Sequence, residues 1–332
     1  MKNKIILGLI CILVILIIVV TSYKIANKEN VTNNLTKIKI AEVTHSAFYA
    51  PLYVAIENGY FEKNGLDIEL ILTPGADKVS AAVLSNDVEI GFAGAESAIY
   101  VYEGGEKDHL QIFSGLTKRD GQFILSRTKN TDFELNDLIG KEILVGRKGG
   151  MPSINFLTAL KNANINPKDL NINYSVEFAA LSGSFVGGMG NFVNLFEPTA
   201  TAVSKEGYGY IVANIGQLAG EVPYTTFYAR KSYINENEEI IMNFTKALNQ
   251  ALNYTQTHSA LDIAEVILPQ FSNISLDDLT IIVDNYKNAD SWYNDTIVPE
   301  QSFINLEDMM KENNLLDDYV PYKDLVKNYY HE

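Results

Sequence analysis

Two glutamates, one glycine-rich turn and a histidine beside hydroxyls carry the chemistry visible in this sequence. Glu96 follows the apolar run 88–93 and Glu197 follows 192–196, so each stands at the carboxyl end of an expected strand, where open α/β sheets bind small ligands. Two carboxylates near one ligand favour a cation or an amine-bearing heterocycle, because a bare anion would be repelled. The plainer alternative is that one glutamate caps a helix and the other faces solvent. Gly149 and Gly150, followed by Met151, Pro152 and Ser153, open a helix whose free N–H groups and positive end suit an anionic or carbonyl group. Without a ligand the same residues are simply a tight connection. His45 and Ser46 stand in a polar turn with Phe48 and Tyr49, where the imidazole is either a hydrogen-bonding ligand contact or a satisfied structural group. The aromatics Phe48, Tyr49, Phe196 and Tyr224 either stack on a flat ligand or pack the core, and core packing is expected for at least two.

The surrounding pattern says how these residues are held. Alternating apolar residues at 38–43 predict a strand, and Ser46 with Pro51 predicts a helix start, giving a helix over 50–58 that stops at Gly59. Strands are expected at 67–72, 88–93 and 110–117, with helices at 78–84 and from Ala98. The turn Gly94, Ala95, Glu96, Ser97 joins the third strand to its helix. An extended segment at 122–127 precedes a restart: strands at 142–146, 171–176 and 192–196, and a helix over 154–164. Residues 224–229 read as a return crossing, and the rest as helices near 238–258, 259–271, 275–288 and 299–313. Strands alternating with helices imply a mostly parallel sheet. The expected organisation is α/β, with one lobe from 37–122 plus 228–332, a second from 123–227, and two crossover segments framing a ligand cleft that closes by hinge motion.

Composition narrows the classes of function. The 332 residues carry a net charge of -15, and no Lys/Arg-dense face stands ready to neutralise phosphates, which argues against nucleic acid as partner. Four widely spaced histidines and the single Cys11 give little support to metal catalysis, a cysteine nucleophile or a disulfide. Ser182 to Gly190 is glycine-rich but lacks the order of a phosphate-cradling loop, and reads as a closely packed helix or turn.

Residues 5–23, between Lys4 and Lys24, are almost wholly apolar, as long as a membrane span and longer than the usual h-region of a signal peptide. Residues 1–36 are therefore expected to be an anchoring transmembrane helix and a polar tether. The leading lysines keep that end in the cytoplasm and the remainder outside.

Phe48-Tyr49-Ala50-Pro51-Leu52-Tyr53-Val54-Ala55, then Asn58-Gly59-Tyr60-Phe61-Glu62-Lys63-Asn64-Gly65-Leu66, then Asp87 to Phe92 and Phe196-Glu197-Pro198 together resemble the SsuA/TauA/pyrimidine-synthase-like binding proteins of ABC importers. The resemblance covers roughly 38–260. It implies a type II periplasmic-binding-protein fold, a monomeric receptor serving a permease and ATPase, and no cofactor or catalytic residue. Its ligand loops map onto Ser46 to Tyr49, Gly94 to Ser97, Gly149 to Ser153 and Asn194 to Pro198. A thiamine-precursor-like pyrimidine is the favoured ligand, with sulfonate, taurine or nitrate as the alternative. The residues from His45 to Tyr49 also resemble the loop of the fungal pyrimidine synthase, whose histidine is consumed, but the cysteine-rich motif of that enzyme is absent.

Overall fold

The computed structural model describes residues 35–331, so the expected anchor lies outside the described residues. Among those described, no single helix is long and apolar enough to cross a membrane. The chain lays down β1 (Thr36–Glu42), β2 (Leu66–Leu72), β3 (Ile90–Gly94) and β4 (Leu110–Thr117). It then crosses to β5 (Gln122–Ser126), β6 (Glu142–Leu144), β7 (Asn171–Asn173), β8 (Phe192–Phe196) and β9 (Tyr210–Asn214), and returns as β10 (Thr225–Arg230).

Two five-stranded sheets result, ordered β2-β1-β3-β10-β4 and β7-β6-β8-β5-β9. β1 is parallel to β2 and β3, and β6 is parallel to β7 and β8, whereas β10 and β5 each run antiparallel to both of their neighbours. The two sheets thus share one plan, in which the strand arriving from the other lobe inserts antiparallel before the last strand. Gln122 falls in the second sheet and Thr225 to Phe227 in the first. The crossings bond to each other, with Val222 N–H donating to the Lys118 carbonyl and Tyr224 N–H to that of Thr117, both at 3.0 Å.

Strands buried on both faces read as near-continuous apolar runs, and β3, β4 and β8 are buried throughout. β9 carries no such signal because it is an edge strand with Tyr210 and Ile211 exposed. The largest core includes the layer between the first sheet and the helix Glu238–Thr257 and runs on into the second lobe. In that layer Phe227 stacks on Phe92 at 4.1 Å between centroids and meets Phe244 edge-on at 5.1 Å. Burying each such ring contributes about 1.5–3 kcal/mol. The C-terminal helices Ala260–Ile267 and Leu276–Asn288 begin at Ser259 and Ser275, whose hydroxyls accept from the N–H groups of Asp262 and Asp278.

Two local starts matter for the site. Ser46 accepts from Phe48 N–H at 3.2 Å and begins a 3₁₀ turn, Ala47–Tyr49, that feeds the helix Ala50–Glu57. Two later helices begin earlier than the sequence pattern suggests, at Glu96 and Met151. Glu96 and Ser153 are consequently helical residues and not turn residues.

Candidate functional site

A cleft of about 620 Å³, the solvent at its mouth included, opens between the sheets. The ends of β1 and β3 bring Val43, Thr44 and Gly94 to one wall, and the segment after β6 brings Val145 to Arg147 to the other. Tyr49, Phe178, Phe196 and Tyr224 also line it. Phe196 meets Phe178 and Tyr224 edge-on, at 5.8 and 6.3 Å. Most of the lining is thus aromatic or apolar, with few polar groups, which is the usual constitution of a small-molecule site.

Glu96 is the exception. It is 1% exposed, its Oε1 accepts from Met151 N–H of the facing lobe at 3.3 Å, and its Oε2 has no partner. Burial pushes this carboxyl up to about 7, with the Arg147 guanidinium pulling the other way. Gly94 makes room for it, since a Cβ there would stand 2.0 Å from Glu96 Oε2 and 2.5 Å from Met151 Cγ. A buried carboxylate oxygen without a donor is costly unless a ligand supplies one.

The expected row of donors at the glycine turn is spent inside the protein. Gly149 N–H donates to Ser153 Oγ (2.9 Å), Gly150 N–H to the Arg147 carbonyl (3.4 Å) and Ser153 N–H to the Gly150 carbonyl (3.0 Å). Met151 N–H is taken by Glu96, and Pro152 has none. A carboxylate of the protein therefore occupies the helix start where an anionic ligand was expected. Gly150 and Met151 still line the cleft, whereas Ser153 is fully buried and closes the loop on itself.

Glu197 also departs from expectation. Its Oε2 accepts from Thr201 N–H at 2.8 Å and its Oε1 from the Thr201 hydroxyl at 2.7 Å, so both oxygens cap the helix Thr199–Lys205. His45 Nδ1 lies 2.9 Å from Glu42 Oε1, and Nε2 lies 3.0 Å from the Gln270 carbonyl. A carbonyl only accepts, so Nε2 carries a proton. The hydrogen bond that the protonated imidazole donates to Glu42 raises its pKa against the opposing effect of burial. Ser46 donates its hydroxyl to the Glu197 carbonyl. His45, Ser46 and Glu197 line a second pocket, of about 510 Å³, that shares Thr44, Phe178 and Phe196 with the cleft.

The predicted residues therefore separate. Tyr49, Gly94, Glu96, Gly150, Met151, Phe196 and Tyr224 meet in the cleft. Ser97 and Gly149 line a groove on its outer side, where Tyr100 donates its hydroxyl to the Gly149 carbonyl at 2.8 Å. Phe48 is core, fully buried 5.1 Å from Tyr286 and 5.5 Å from Phe196. Its carbonyl accepts from Trp292 Nε1 at 2.7 Å. Sequence reasoning missed Thr44, Arg147, Phe178 and Thr225. Arg147 was legible as the cation at the mouth of the glycine turn, but Phe178 lies in a segment without periodicity. Among the described residues, no cluster of three or more His, Cys, Asp or Glu side chains could hold a metal ion.

A family model described as NMT1/THI5 like matches residues 47–260. YtlA of Bacillus subtilis (strain 168), named as a candidate binding protein, is 40% identical over 293 residues, covering 88% of each chain. The alkanesulfonate-binding protein SsuA of Xanthomonas axonopodis pv. citri, solved with MOPS, is 17% identical with a TM-score of 0.71, covering 88% of this chain and 98% of that one. The periplasmic nitrate-binding protein NrtA of Synechocystis PCC 6803 is 18% identical with a TM-score of 0.62, covering 81% and 75% respectively. These two likenesses establish a shared fold, the two-lobed α/β architecture of type II periplasmic binding proteins. With the family model spanning most of the folded part and a relative at 40% identity, the chain belongs to the NMT1/THI5-like family.

Proposed function

We propose that this protein is the solute receptor of an ABC importer and that it closes on an amine-bearing heterocycle, a thiamine-precursor-like pyrimidine being the preferred kind. The observation that carries the reading is the free Oε2 of Glu96, buried in a cleft lined with aromatic rings. An N–H donor on a flat ring satisfies that oxygen, while Tyr49, Phe178, Phe196 and Tyr224 supply faces and edges for the ring. Lobe closure is supported by bonds that already span the lobes, from Tyr100 to Gly149 and from Ser46 to Glu197. The receptor acts as a monomer outside the cytoplasmic membrane, held there by residues 5–23, and hands its solute to a permease and ATPase.

Capture of a sulfonate, taurine or nitrate is the second reading, drawing on the exposed Arg147 at the cleft mouth and on what the SsuA and NrtA neighbours bind. It has the weaker support, because Glu96 occupies the helix-start donor that a small anion would need. A synthase chemistry at His45 is weaker still, since both ring nitrogens are engaged by Glu42 and Gln270. Isothermal titration with 4-aminopyrimidines, methanesulfonate, taurine and nitrate separates these readings. Binding of the aminopyrimidine, weakened in Glu96→Gln, is the expected result; binding of only the anions overturns it.

A further inference from the structure

The chain holds four arginines, and three are bonded within the protein. Arg119 pairs with Glu221 and Asp290, Arg127 donates to the carbonyls of Phe185, Met189 and Gly190, and Arg230 pairs with Asp108. Among the described residues, the Arg147 guanidinium has neither a hydrogen-bond nor an ion-pair partner. It folds back over the glycine turn, its Nη2 3.7 Å from where a Cβ on Gly150 would stand. Lys148 beside it is exposed and pairs with no acid among the described residues.

Arg147 lines two spaces, the cleft that holds Glu96 and the groove on its outer side that holds Lys148. The same segments wall both: Ala76, Glu96 and Gly150 line the cleft, and their neighbours Asp77, Ser97 and Gly149 the groove. The groove thus continues the cleft mouth. Asp77, the one acid lining the groove, pairs with neither cation. Arg147 is near enough to Glu96 to draw its carboxyl pKa downward, yet no ion pair joins them. A carboxylate oxygen without a donor and a guanidinium without an acceptor therefore border one space. A guanidinium recognises carboxylate and phosphate groups through paired N–H donors. We infer that the solute carries both polarities: an amine-bearing ring whose N–H edge meets Glu96, and an anionic substituent that reaches Arg147 at the cleft mouth, with Lys148 adding positive charge from the groove. A neutral ring of the same shape leaves Arg147 unmatched and binds less tightly. This names a substrate class within the amine-binding reading of the cleft and rests on that reading.

The test compares (4-aminopyrimidin-5-yl)acetate with the corresponding acetamide, nearly equal in shape and different in charge, by titration calorimetry on the intact protein. Wild type should prefer the acetate by roughly tenfold, the scale of a hydrogen bond to a charged group, and the preference should shrink as salt is raised. Arg147→Gln should bring the two affinities together, and Lys148→Gln should narrow the gap by a smaller factor. Both positions are exposed, so these variants should fold. Arg147→Lys keeps the charge without the paired donors and should retain part of the preference. Equal affinities in wild type, or a preference unchanged in Arg147→Gln, overturn the inference. If Glu96→Gln still weakens both compounds in that case, the amine-binding reading stands and only the anionic subsite falls. If neither compound binds wild type, both fall.

Discussion

The two pockets on either side of Phe178 and Phe196 draw on the same residue types, an acid, hydroxyls and aromatic rings, and differ in what is left over. Around His45 and Glu197 the charged groups are bonded to the protein, the imidazole to Glu42 and Gln270 and the carboxylate to Thr201. Around Glu96 one carboxylate oxygen remains without a donor. Both acids are buried and both have raised pKa values, chiefly through desolvation. Burial therefore does not separate the two carboxylates; unfilled hydrogen-bonding capacity does.

That contrast can be broken experimentally. The largest effect is expected from Glu96→Gln, which should weaken an amine ligand by about a hundredfold, the scale of a hydrogen bond to a charged group, with little change in stability. A titration showing equal affinity would put the ligand elsewhere. Next comes pH. Glu96 must be ionised to hold a cationic amine, so affinity should fall about tenfold per unit below about 7 and level off above it. For the empty protein the sign runs the other way. Carboxyls raised to about 7 at Glu96 and about 8 at Asp120 contribute stability that is present at pH 4 and lost as pH rises through those values. Urea midpoints measured without ligand should therefore decline across that window.

Gly94→Ala should cost about tenfold in affinity, because the added Cβ displaces the Glu96 carboxylate; unaltered binding would mean that Glu96 does not contact the ligand. Glu197→Ala is expected to lower stability by about 1 kcal/mol, as loss of a helix cap does, and to leave affinity unchanged. A loss of affinity at constant stability would reverse the assignment of the two pockets. The smallest effect belongs to His45→Gln. The raised imidazole pKa stabilises the fold below about 6.5, and that contribution disappears as pH rises through the folded value. The pair with Glu42, in which only the imidazole is partly exposed, should contribute under about 1 kcal/mol.

Much of the scaffold was legible in the residues. Apolar runs marked β3, β4 and β8 because strands buried on both faces must be apolar throughout, and serines marked the starts of the C-terminal helices. The site was legible only in part. Tyr49, Gly94, Glu96 and Tyr224, expected at strand ends and crossings, line the cleft, but Phe178 entered from an aperiodic segment. Helix boundaries shifted the chemistry as well, since starting at Met151 rather than Ile154 consumed the donors of the glycine turn.

Local physics, the alternation of apolar runs with capped helices, is enough to dictate two α/β lobes and to place polar residues at their facing strand ends. Whether such a residue is free or already satisfied depends on partners far along the chain: Met151 for Glu96 and Gln270 for His45. Those pairings span 55 and 225 positions. Only the tertiary arrangement brings them within bonding distance, and so it alone decided that Glu96 keeps an oxygen without a donor while Glu197 and His45 are bonded within the protein.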